Sequence, residues 1–437
     1  MSGMRMQITT DVLVIGSGMA GLTAALAAAS KGLRVVVAAN GAGSLAISSG
    51  CIDLLGCVDQ EVTDPWEAMT KLGPDHPYTI LGSARVRQAL EAFQHILDRH
   101  KTGYRIAKKD GKNVNSRLPT ILGTLKPSYL IPAGHDSSEL FSAKQVLVAG
   151  VEGLRDLSPK LCAHELGKLP EFQATHFATE LLPSPFSQTH RGISSLDLAR
   201  QVSHPKGLDW LETCLGRFAR AYDVILLPPI LGTRADDQLV QHLGQKLGCH
   251  VQELLTIPPG VGGLRLREVL KDEAAAHTVR FLENVHLTCS SCSNGHCHYV
   301  STQCEEGGEN QEELRIVAKS FVLASGGILG GGIWTTPYEI CEVLFQLPVQ
   351  FQPAVDQRTS SDALGRHPIS LAGLACDSQL RPIDDRKTCC LDNVFLAGRI
   401  LGGFDPAEEK SGFGVAIATG WHAGLMAAEA SGMEARA

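Results

Sequence analysis

The sequence predicts an α/β protein in which the two ends of the chain form one discontinuous domain around a large inserted region. Three observations predict this: a strand, glycine turn, helix and strand at the amino terminus; alternating strands and helices through the middle; and a strand running toward a glycine-led helix near the carboxyl terminus. We expect the discontinuous domain to comprise residues 1–60 and 315–437, and the inserted α/β region residues 61–314.

The first unit of this pattern occupies residues Thr10 to Asn40. An apolar run from Asp11 to Ile15 is typical of a buried strand, and an alanine- and leucine-rich helix follows it as far as Gly32. A second apolar strand, Leu33 to Ala39, comes directly afterwards. This order, with glycines between the first strand and the helix, predicts a Rossmann-like FAD/NAD(P)-binding fold.

The glycines of the first unit have G-x-G-x-x-G spacing. We expect Gly16 to make the tight turn, Gly18 to let the backbone approach a pyrophosphate, and Gly21 to let the helix pack closely on the strand. The N–H groups at the start of the helix, at Met19 and Ala20, favour an anion. The alternative is a glycine-rich turn that holds no ligand.

The end of the second strand departs from the dinucleotide pattern. An Asp or Glu usually binds the ribose about twenty residues after the glycines. Here the strand ends in Ala38, Ala39 and Asn40, without a carboxylate. Two possibilities stay open: Asn40 and the backbone hold an adenosine, or the ligand is a mononucleotide.

A loop of small and hydroxyl residues, 41–56, follows the first unit. Such residues let a chain run close to a flat ring system while they donate hydrogen bonds. We therefore include Ser48, Ser49 and Gly50 among the candidate ligand contacts. The alternative is an ordinary flexible loop.

The inserted region alternates strands with helices, which predicts a parallel or mixed sheet. The predicted helices are Ser83–His100, Leu208–Ala221 and Gly263–His277, and the predicted strands are Gln145–Ala149, Asp223–Leu227 and His250–Ile257. The segment His76–Leu81 is predicted to be extended or a turn. Gly150 and Gly153 resemble the first glycine pattern only loosely, and we interpret them as a turn at a strand end, with an anion site as the alternative.

Residues 285–300 predict a hairpin with Asn294 and Gly295 in a type I′ turn. The cysteines in and after this hairpin are Cys289, Cys292, Cys297 and Cys304. We predict no metal site, because Cys292 faces Cys297 across the strands whereas Cys289 points to the other face. A reduced pair at Cys292 and Cys297 is expected, and the role of the four cysteines stays open.

The carboxyl-terminal part supplies a second set of candidate contacts. A strand at 315–324 runs into a turn containing Gly326, and a strand at 394–397 ends at Gly398. The remaining candidates are Gly403 and Asp405 in the next loop, and Gly412, Gly414 and Val415 at the start of the last helix. Asp405 can accept hydrogen bonds from polyol hydroxyls, and the helix amides can face a flavin ring or a phosphate. A simple turn role before Pro406 is the alternative for Asp405.

The composition excludes several other classes of function. Hydrophobic residues make up 44% and charged residues 19% of the 437 residues, as in ordinary globular proteins. The net charge of −7 gives no sign of nucleic-acid binding. We expect neither a membrane span nor a secretory signal, and we expect the thirteen cysteines to be free thiols or ligands rather than a disulfide framework.

Six motifs together resemble the B subunit of the anaerobic glycerol-3-phosphate dehydrogenase. They are SSGCIDLLG, HPYTILG, LPTILGTLKPSYLIP, VLASGGILGGG, SQLRP and FLAGRILGGFDP, in that order along most of the chain. The resemblance implies the flavoprotein part of an oxidoreductase made of three subunits, in which glycerol 3-phosphate becomes dihydroxyacetone phosphate and electrons pass to quinone in anaerobic respiration. The implied flavin is FMN, and the glycine pattern offers FAD as the alternative.

The resemblance also implies two partners in the glycerol-3-phosphate dehydrogenase: the A subunit, which is a catalytic flavoprotein, and the C subunit, which carries iron–sulfur clusters and contacts the membrane. It implies a cytoplasmic protein at the inner face of the membrane through those partners. Two departures are the AEEKSGFGV segment, where relatives are more glycine-rich, and the cysteine-rich hairpin.

No compact catalytic group stands out in the sequence. His76 and His367 are weak candidates for a base, and Arg381 is a weak candidate for phosphate binding, along with Arg358, Arg366 and Lys126. Two rival hypotheses stay open: a stand-alone flavin oxidoreductase acting on another small acid or alcohol, and a non-catalytic electron-relay or scaffold subunit.

Overall fold

The computed structural model describes residues 5–186, 192–235, 237–256, 260–303, 313–363 and 365–434. Within these ranges, the strands are β1 (Arg5–Ile15), β2 (Val35–Ala39), β3 (Cys57–Val58), β4 (Gln60–Glu61), β5 (Arg105–Lys109), β6 (Lys112–Val114), β7 (Ser116–Pro119), β8 (Leu125–Ser128), β9 (Leu130–Ile131), β10 (Gln145–Val151), β11 (His176–Leu182), β12 (Val224–Leu227), β13 (His250–Glu253), β14 (Arg280–Glu283), β15 (Cys289–Ser293), β16 (His296–Ser301), β17 (Glu313–Leu323), β18 (Ile333–Thr335), β19 (Ile340–Glu342), β20 (Val349–Gln350), β21 (Gly373–Cys376), β22 (Pro382–Ile383) and β23 (Val394–Leu396).

The α-helices in the same ranges are α1 (Met19–Ala29), α2 (Pro65–Ala68), α3 (Pro77–Leu81), α4 (Ser83–Arg99), α5 (Pro159–Gly167), α6 (Ser195–Val202), α7 (Pro205–Gly216), α8 (Asp237–Leu247), α9 (Val261–Ala276), α10 (Pro406–Glu409) and α11 (Gly412–Glu434). The chain divides into two compact units. Unit 1 comprises residues 1–44, 66–93 and 270–437, and unit 2 comprises residues 45–65 and 94–269.

Unit 1 is built on a sheet to which seven of the described strands belong, in the order β14-β2-β1-β17-β16-β15, with β23 also paired to β17. The central pairs β1 with β2, β1 with β17, and β17 with β23 are parallel. Strands in a parallel sheet are covered on both faces, which explains their continuous apolar runs. All five residues of β2 and all eleven of α1 are buried. The predicted Rossmann-like α/β fold is therefore confirmed.

The unit boundaries differ from the predicted domain boundaries. The hairpin β15–β16 was assigned to the inserted region, but β16 pairs antiparallel with β17, and β14 pairs with β2. Residues from 270 onward therefore extend the sheet of unit 1. Conversely, residues 45–60 belong to unit 2.

Unit 2 contains a four-stranded parallel sheet among its described residues, ordered β11-β10-β12-β13. One face of the sheet packs on α6, α7 and α8 through a buried cluster that includes Leu147, Ile225 and Leu211. The other face packs on α5 through Val146, Leu226 and other buried residues. The alternation of strands and helices correctly predicted a parallel sheet.

Two local predictions have different outcomes. The hairpin turn is confirmed, since Asn294 and Gly295 have φ of 53° and 75° and Ser293 pairs with His296. The prediction that His76–Leu81 is extended or a turn is wrong: residues 77–81 form α3, because Pro77 suits the first helical position and the His76 side chain caps the helix. Among the described residues, we find no helix with the length and apolar character needed to cross a membrane.

Candidate functional site

The strands at the centre of the unit 1 sheet end at one edge. Because β2, β1, β17 and β23 run parallel, their carboxyl ends lie on the same side of the sheet. The residues that follow these ends are Asn40, Gly16, Ala324 and Ala397. Open α/β sheets bind ligands at this edge. The fold thus collects the amino- and carboxyl-terminal candidates of unit 1 at one place.

The three glycines of the first turn are required for different reasons. Gly16 has φ of +113°, and a Cβ there would lie 2.2 Å from the Ala324 carbonyl oxygen. A Cβ on Gly21 would lie 2.0 Å from the Gly16 carbonyl oxygen. A Cβ on Gly18 would meet nothing within 4 Å. The protein itself therefore excludes a side chain at Gly16 and Gly21, whereas at Gly18 it leaves space that a ligand can fill.

Helix α1 begins without a side-chain cap. Its N-cap is Gly18, and the first helical hydrogen bond runs from the Leu22 N–H to the Gly18 carbonyl oxygen at 2.9 Å. The amides of Met19, Ala20 and Gly21 precede that bond and have no partner in the helical ladder. The first turn contains no acidic residue. An anion can therefore bind these amides with the support of the helix dipole.

Helix α11 has a similar start, with one correction to the predicted contacts. The Val415 N–H donates to the Ser411 carbonyl oxygen at 2.9 Å, within the helical ladder. The Val415 amide is therefore already used and cannot face a ligand, contrary to our expectation. The amides of Gly412 and Gly414 precede this bond and remain candidates.

Close packing brings the two glycine segments together. A Cβ on Gly398 would lie 2.6 Å from the Ala20 Cβ, and a Cβ on Gly420 would lie 2.4 Å from the Ala20 carbonyl oxygen. The Gly398 N–H donates to Thr419 Oγ1 at 2.9 Å. These contacts hold the end of β23 and the side of α11 directly against the start of α1.

The loop after β17 carries a polar group that sequence reasoning did not include. The Ser325 hydroxyl is buried and has no hydrogen-bond partner among the described residues. A Cβ on Gly332 would lie 2.3 Å from that hydroxyl, so the glycine-rich loop folds back over it. A buried hydroxyl without a protein partner needs a water, an ion or a ligand to satisfy it. Ser325 could have been predicted from the sequence, because it lies next to the candidate Gly326.

Arg399, immediately after Gly398, was also missed. Its guanidinium donates to the carbonyl oxygens of Ala372 at 3.2 Å and Leu401 at 3.3 Å, and also to that of Ser370. Burial lowers the pKa of Arg399 from its ordinary value, while nearby carboxylates oppose the shift. The group stays charged, so the loop carries a partly buried positive charge.

Two predicted residues in the next loop have structural roles. Asp405 is the N-cap of α10, and its Oδ1 accepts hydrogen bonds from the Ala407 N–H at 3.0 Å and the Glu408 N–H at 3.3 Å. This matches the turn role that was the alternative for Asp405. A Cβ on Gly403 would lie 2.8 Å from the Asp75 carbonyl oxygen, so that glycine permits close packing of two loops.

Ser48, Ser49 and Gly50 belong to unit 2, and they form part of an ordered segment rather than a flexible loop. The Ser48 hydroxyl donates to the Leu45 carbonyl oxygen at 2.9 Å, and the Gly263 N–H donates to the Ser48 carbonyl oxygen at 3.0 Å. A Cβ on Gly262 would lie 1.9 Å from the Ser49 carbonyl oxygen. The segment is therefore held against the start of α9.

His76 is buried, and both of its ring nitrogens have partners. Its Nδ1 accepts the Tyr78 N–H at 3.0 Å, so Nε2 carries the proton and donates to Glu409 Oε2 at 3.1 Å. Glu409 Oε1 in turn accepts the Asp405 N–H at 3.1 Å. These bonds tie the start of α3 to α10, which is a structural role.

The other weak catalytic candidates are likewise engaged within the protein. His367 Nδ1 accepts the Ser360 N–H at 3.1 Å, and its Nε2 lies 3.3 Å from the Ala363 carbonyl oxygen. Arg381 Nε and Nη2 contact Asp377 Oδ2 at 2.9 and 2.8 Å. Among the three remaining cations, Arg366 pairs with Glu408, Lys126 pairs with Asp53, and Arg358 donates to the Thr336 carbonyl oxygen.

A cavity in unit 2 brings together polar groups that lie far apart in the sequence. Its lining includes Tyr104, His135, Arg234, Glu253 and Arg265. The Tyr104 hydroxyl donates to the Gly50 carbonyl oxygen at 2.7 Å, and Arg265 Nη2 donates to Glu253 Oε1 at 3.0 Å. His135 is buried, and its Nδ1 has no partner in the described part of the chain. Burial lowers the pKa of His135 to about 4, so its ring is neutral at pH 7.

The cysteine-rich hairpin shows one difference from expectation. Cys292 and Cys297 are free and pair across the strands, as predicted. Cys289 is disulfide-bonded, although free thiols or ligands were expected. Cys304 lies outside the described residues. Within the described ranges, no group of three or more His, Cys, Asp or Glu side chains could hold a metal ion.

Comparison with known proteins decides the family. The FAD binding domain family model matches residues 11–415. The B subunit of the anaerobic glycerol-3-phosphate dehydrogenase of Vibrio cholerae is 30% identical over 425 residues, covering 94% of this chain and 95% of that protein. This chain belongs to the same B-subunit family. The probable B subunit of the Halobacterium salinarum enzyme is 31% identical over 440 residues, covering 97% of this chain and 99% of that protein.

Membership of the B-subunit family confirms the resemblance drawn from the six motifs. The FAD binding domain match identifies a flavin-binding oxidoreductase fold, and FMN gains no support from it. Among solved structures, a quinol fumarate reductase of E. coli is 9% identical with a TM-score of 0.43, covering 98% of this chain and 71% of that chain.

Proposed function

We propose that this member of the B-subunit family binds FAD and is the flavoprotein subunit of a quinone-linked glycerol-3-phosphate dehydrogenase complex. The complex oxidises glycerol 3-phosphate to dihydroxyacetone phosphate and passes electrons to the quinone pool in anaerobic respiration. The observation that carries the proposal is the open, uncapped start of α1, supported by the unpartnered Ser325 hydroxyl at the end of β17, the strand paired with β1. The names of the Vibrio and Halobacterium relatives support the assignment to the complex.

The residues in unit 1 fit a dinucleotide flavin. The amides of Met19 to Gly21 would hold the pyrophosphate, the space at Gly18 would admit it, and the Ser325 hydroxyl would find its partner in the cofactor. FAD, when bound, supplies the two-electron acceptor for alcohol oxidation. FAD is preferred to FMN because the match is to an FAD binding domain. Asn40, exposed after β2, takes the position where a carboxylate usually binds the ribose.

We further propose that the substrate binds in the cavity of unit 2. Arg234 would attract the phosphate, and the neutral His135, whose Nδ1 lacks a partner, would accept the hydrogen bond of the reacting hydroxyl. The buried Arg265 and Glu253 neutralise each other, so they shape the cavity without adding net charge.

The partners we propose are two further subunits, a second flavoprotein and an iron–sulfur protein that contacts the membrane. The chain would then lie in the cytoplasm at the inner face of the membrane. A second candidate function is electron relay without substrate binding. It is favoured by the engagement of His76, His367 and Arg381 in contacts within the protein.

Cofactor identity tests the first proposal. The purified chain is denatured with acid and the released flavin is separated by chromatography, with FAD as the expected product. Gly18→Ala should lose FAD, because its Cβ would occupy the space left for the pyrophosphate. The matched control is Gly73→Ala, since a Cβ on Gly73 also meets nothing within 4 Å. Release of FMN, or full FAD content in Gly18→Ala, would contradict the proposal.

Steady-state kinetics of the complex with its partner subunits tests the substrate site. Arg234→Gln should raise KM for glycerol 3-phosphate on the order of tenfold, as for loss of one charged phosphate contact. His135→Gln should lower kcat more than it raises KM. The control is Arg200→Gln, a change on the exposed face of α6. Wild-type kinetics in both cavity variants would favour the electron-relay function, while FAD content separates that result from failure of the flavin site.

A further inference from the structure

The hairpin β15–β16 places Cys292 directly opposite Cys297. The two residues are register partners next to the closing pair Ser293 and His296. The register shifts between Ser291 and Cys292, so that Ser291 pairs with Tyr299 and His298 is an extra residue in a β-bulge. Directly opposite residues point to the same face of the sheet, so the two thiols share one side of the hairpin.

The backbone of Cys297 shows which type of pair this is. Its N–H donates to Asn393 Oδ1 at 2.9 Å, and its carbonyl oxygen accepts a hydrogen bond from Asn393 Nδ2 at 2.8 Å. Cys297 therefore gives its backbone groups to Asn393 and not to Cys292, which makes the two cysteines a non-hydrogen-bonded pair. Such pairs have Cα atoms about 4.5 Å apart, at the short end of the range that a disulfide spans. The pair can be oxidised without rearrangement of the strands.

The two thiols differ in exposure. Cys292 is exposed, whereas Cys297 is fully buried. The adjacent Cys297 thiol lowers the pKa of Cys292 to about 7, with further help from Ser290 and from the nearby His296, and the same interaction raises the pKa of Cys297. The Cys297 thiol itself lies 3.7 Å from the Tyr299 carbonyl oxygen. The exposed sulfur is thus the nucleophile, and the buried thiol opposite it is the group that can attack it in turn.

The surroundings of the pair limit its other uses. His296 is fixed by Asp392 Oδ1 at 2.8 Å and by Asn393 Nδ2 at 3.1 Å. Cys289 is three positions before Cys292, so its side chain projects from the opposite face, and it is already disulfide-bonded. Among the residues that the structure describes, no group of three or more His, Cys, Asp or Glu side chains could hold a metal ion. Thiol chemistry between Cys292 and Cys297 is the use that remains.

We propose that Cys292 and Cys297 form a thiol–disulfide exchange site that reacts with low-molecular-mass disulfides. The Cys292 thiolate attacks one sulfur of the small disulfide, which forms a mixed disulfide and releases one small thiolate. The Cys297 thiol then loses its proton and attacks the Cys292 sulfur, which forms the Cys292–Cys297 disulfide and releases the second small thiol. The two cysteines together lose two electrons, and the small disulfide gains them and becomes two thiols.

Glutathione disulfide is the probe that tests this site, with intact-mass spectrometry of the purified full chain. Wild type should release two glutathione molecules per chain and end two hydrogen masses lighter, and a dithiol reductant should reverse the change. Cys297→Ser should stop at the adduct of one glutathionyl group. Cys292→Ser should react on the order of tenfold more slowly, because the activated thiolate is absent.

Cys341→Ser is the matched control, since Cys341 is a free, partly exposed cysteine whose pKa is raised. It should behave as wild type. Near-ultraviolet circular dichroism checks whether Cys297→Ser is folded. If it is not, Cys297→Ala replaces it. The proposal is overturned if wild type accumulates a glutathionyl adduct as stable as that of Cys297→Ser, or if Cys292→Ser reacts as fast as wild type.

Discussion

Two strand–turn–helix segments, one in each unit, begin their helices in opposite ways. In unit 1, β1 leads through Gly16 to α1, whose N-cap Gly18 offers no side chain. In unit 2, β10 leads to α5, whose N-cap Ser158 accepts a hydrogen bond from the Leu161 N–H at 3.5 Å. The first helix leaves its amides for a ligand, whereas the second satisfies one of them from within the chain.

Gly18 of unit 1 and Gly150 of unit 2 also differ in the space beside them, which is open at Gly18 and filled at Gly150. A Cβ on Gly18 would meet open space, whereas a Cβ on Gly150 would lie 2.6 Å from Pro159 Cγ. Both segments contain a glycine after an apolar strand. A glycine near a strand end therefore marks a ligand site only when the space beside it is open and the helix that follows is uncapped.

The largest expected effect is the loss of stability when the buried ion pair of unit 2 is broken, which should leave FAD binding in unit 1 unchanged. Arg265→Leu should lower the free energy of unfolding by about 3–5 kcal/mol, because it leaves the buried Glu253 carboxylate without its positively charged partner. FAD content should stay at the wild-type level per folded chain, since the FAD site we propose lies in unit 1. Urea unfolding and flavin absorbance measure the two quantities.

The stability of wild type and of Arg265→Leu should change with pH in opposite directions. Burial raises the pKa of Glu253, but Arg265, together with His135 and the Leu231 N–H, outweighs burial, so the pKa lies below its ordinary value. In wild type this stability is present above the unfolded pKa and is lost as pH falls. In Arg265→Leu the Leu231 N–H still donates to the carboxylate, but burial, the largest cause, is no longer offset by Arg265. The pKa should then lie above its ordinary value, and the variant should lose stability as pH rises through it. A double variant, Arg265→Leu with Glu253→Leu, should recover most of the loss, and failure to recover would contradict the ion-pair explanation.

The second prediction compares the glycines that close packing requires. Gly21→Ala should cost about 3 kcal/mol of unfolding free energy and abolish FAD binding, because its Cβ would lie 2.0 Å from the Gly16 carbonyl oxygen and move the turn. Gly150→Ala should cost about 1–3 kcal/mol through contact with Pro159, but it should retain FAD. Loss of FAD in both variants would show that the two turns do not differ as we describe.

The sequence predicted most of the backbone architecture of the site but few of its side-chain contacts. Strand Asp11–Ile15, the glycine turn and the glycine-led last helix follow from local patterns, because β-branched runs and glycines act over a few residues. The Val415 amide and the structural roles of His76 and Asp405 could not be predicted, because each depends on a partner fixed only by the folded chain.

The cavity of unit 2 shows the same limit more strongly. His135, Arg234 and Arg265 lie up to 130 positions apart in the chain but line one cavity. Their approach depends on the order of strands in a parallel sheet, which short motifs do not encode. The Cys292–Cys297 pair was predicted correctly because a two-residue turn fixes which residues face each other.

The smallest effect tests the caps themselves. Ser158→Ala should lower the free energy of unfolding by about 1 kcal/mol, the usual value for removal of an N-cap side chain. Gly18→Ser should raise the stability of the FAD-free chain by only a few tenths of a kcal/mol. It should nevertheless lose FAD as Gly18→Ala does, because its Cβ fills the same space and its hydroxyl competes for the α1 amides. Thermal unfolding of Ser158→Ala and Gly18→Ser, each with and without FAD, measures these effects. If Gly18→Ser bound FAD as tightly as wild type, the uncapped start of α1 would not be the anion site.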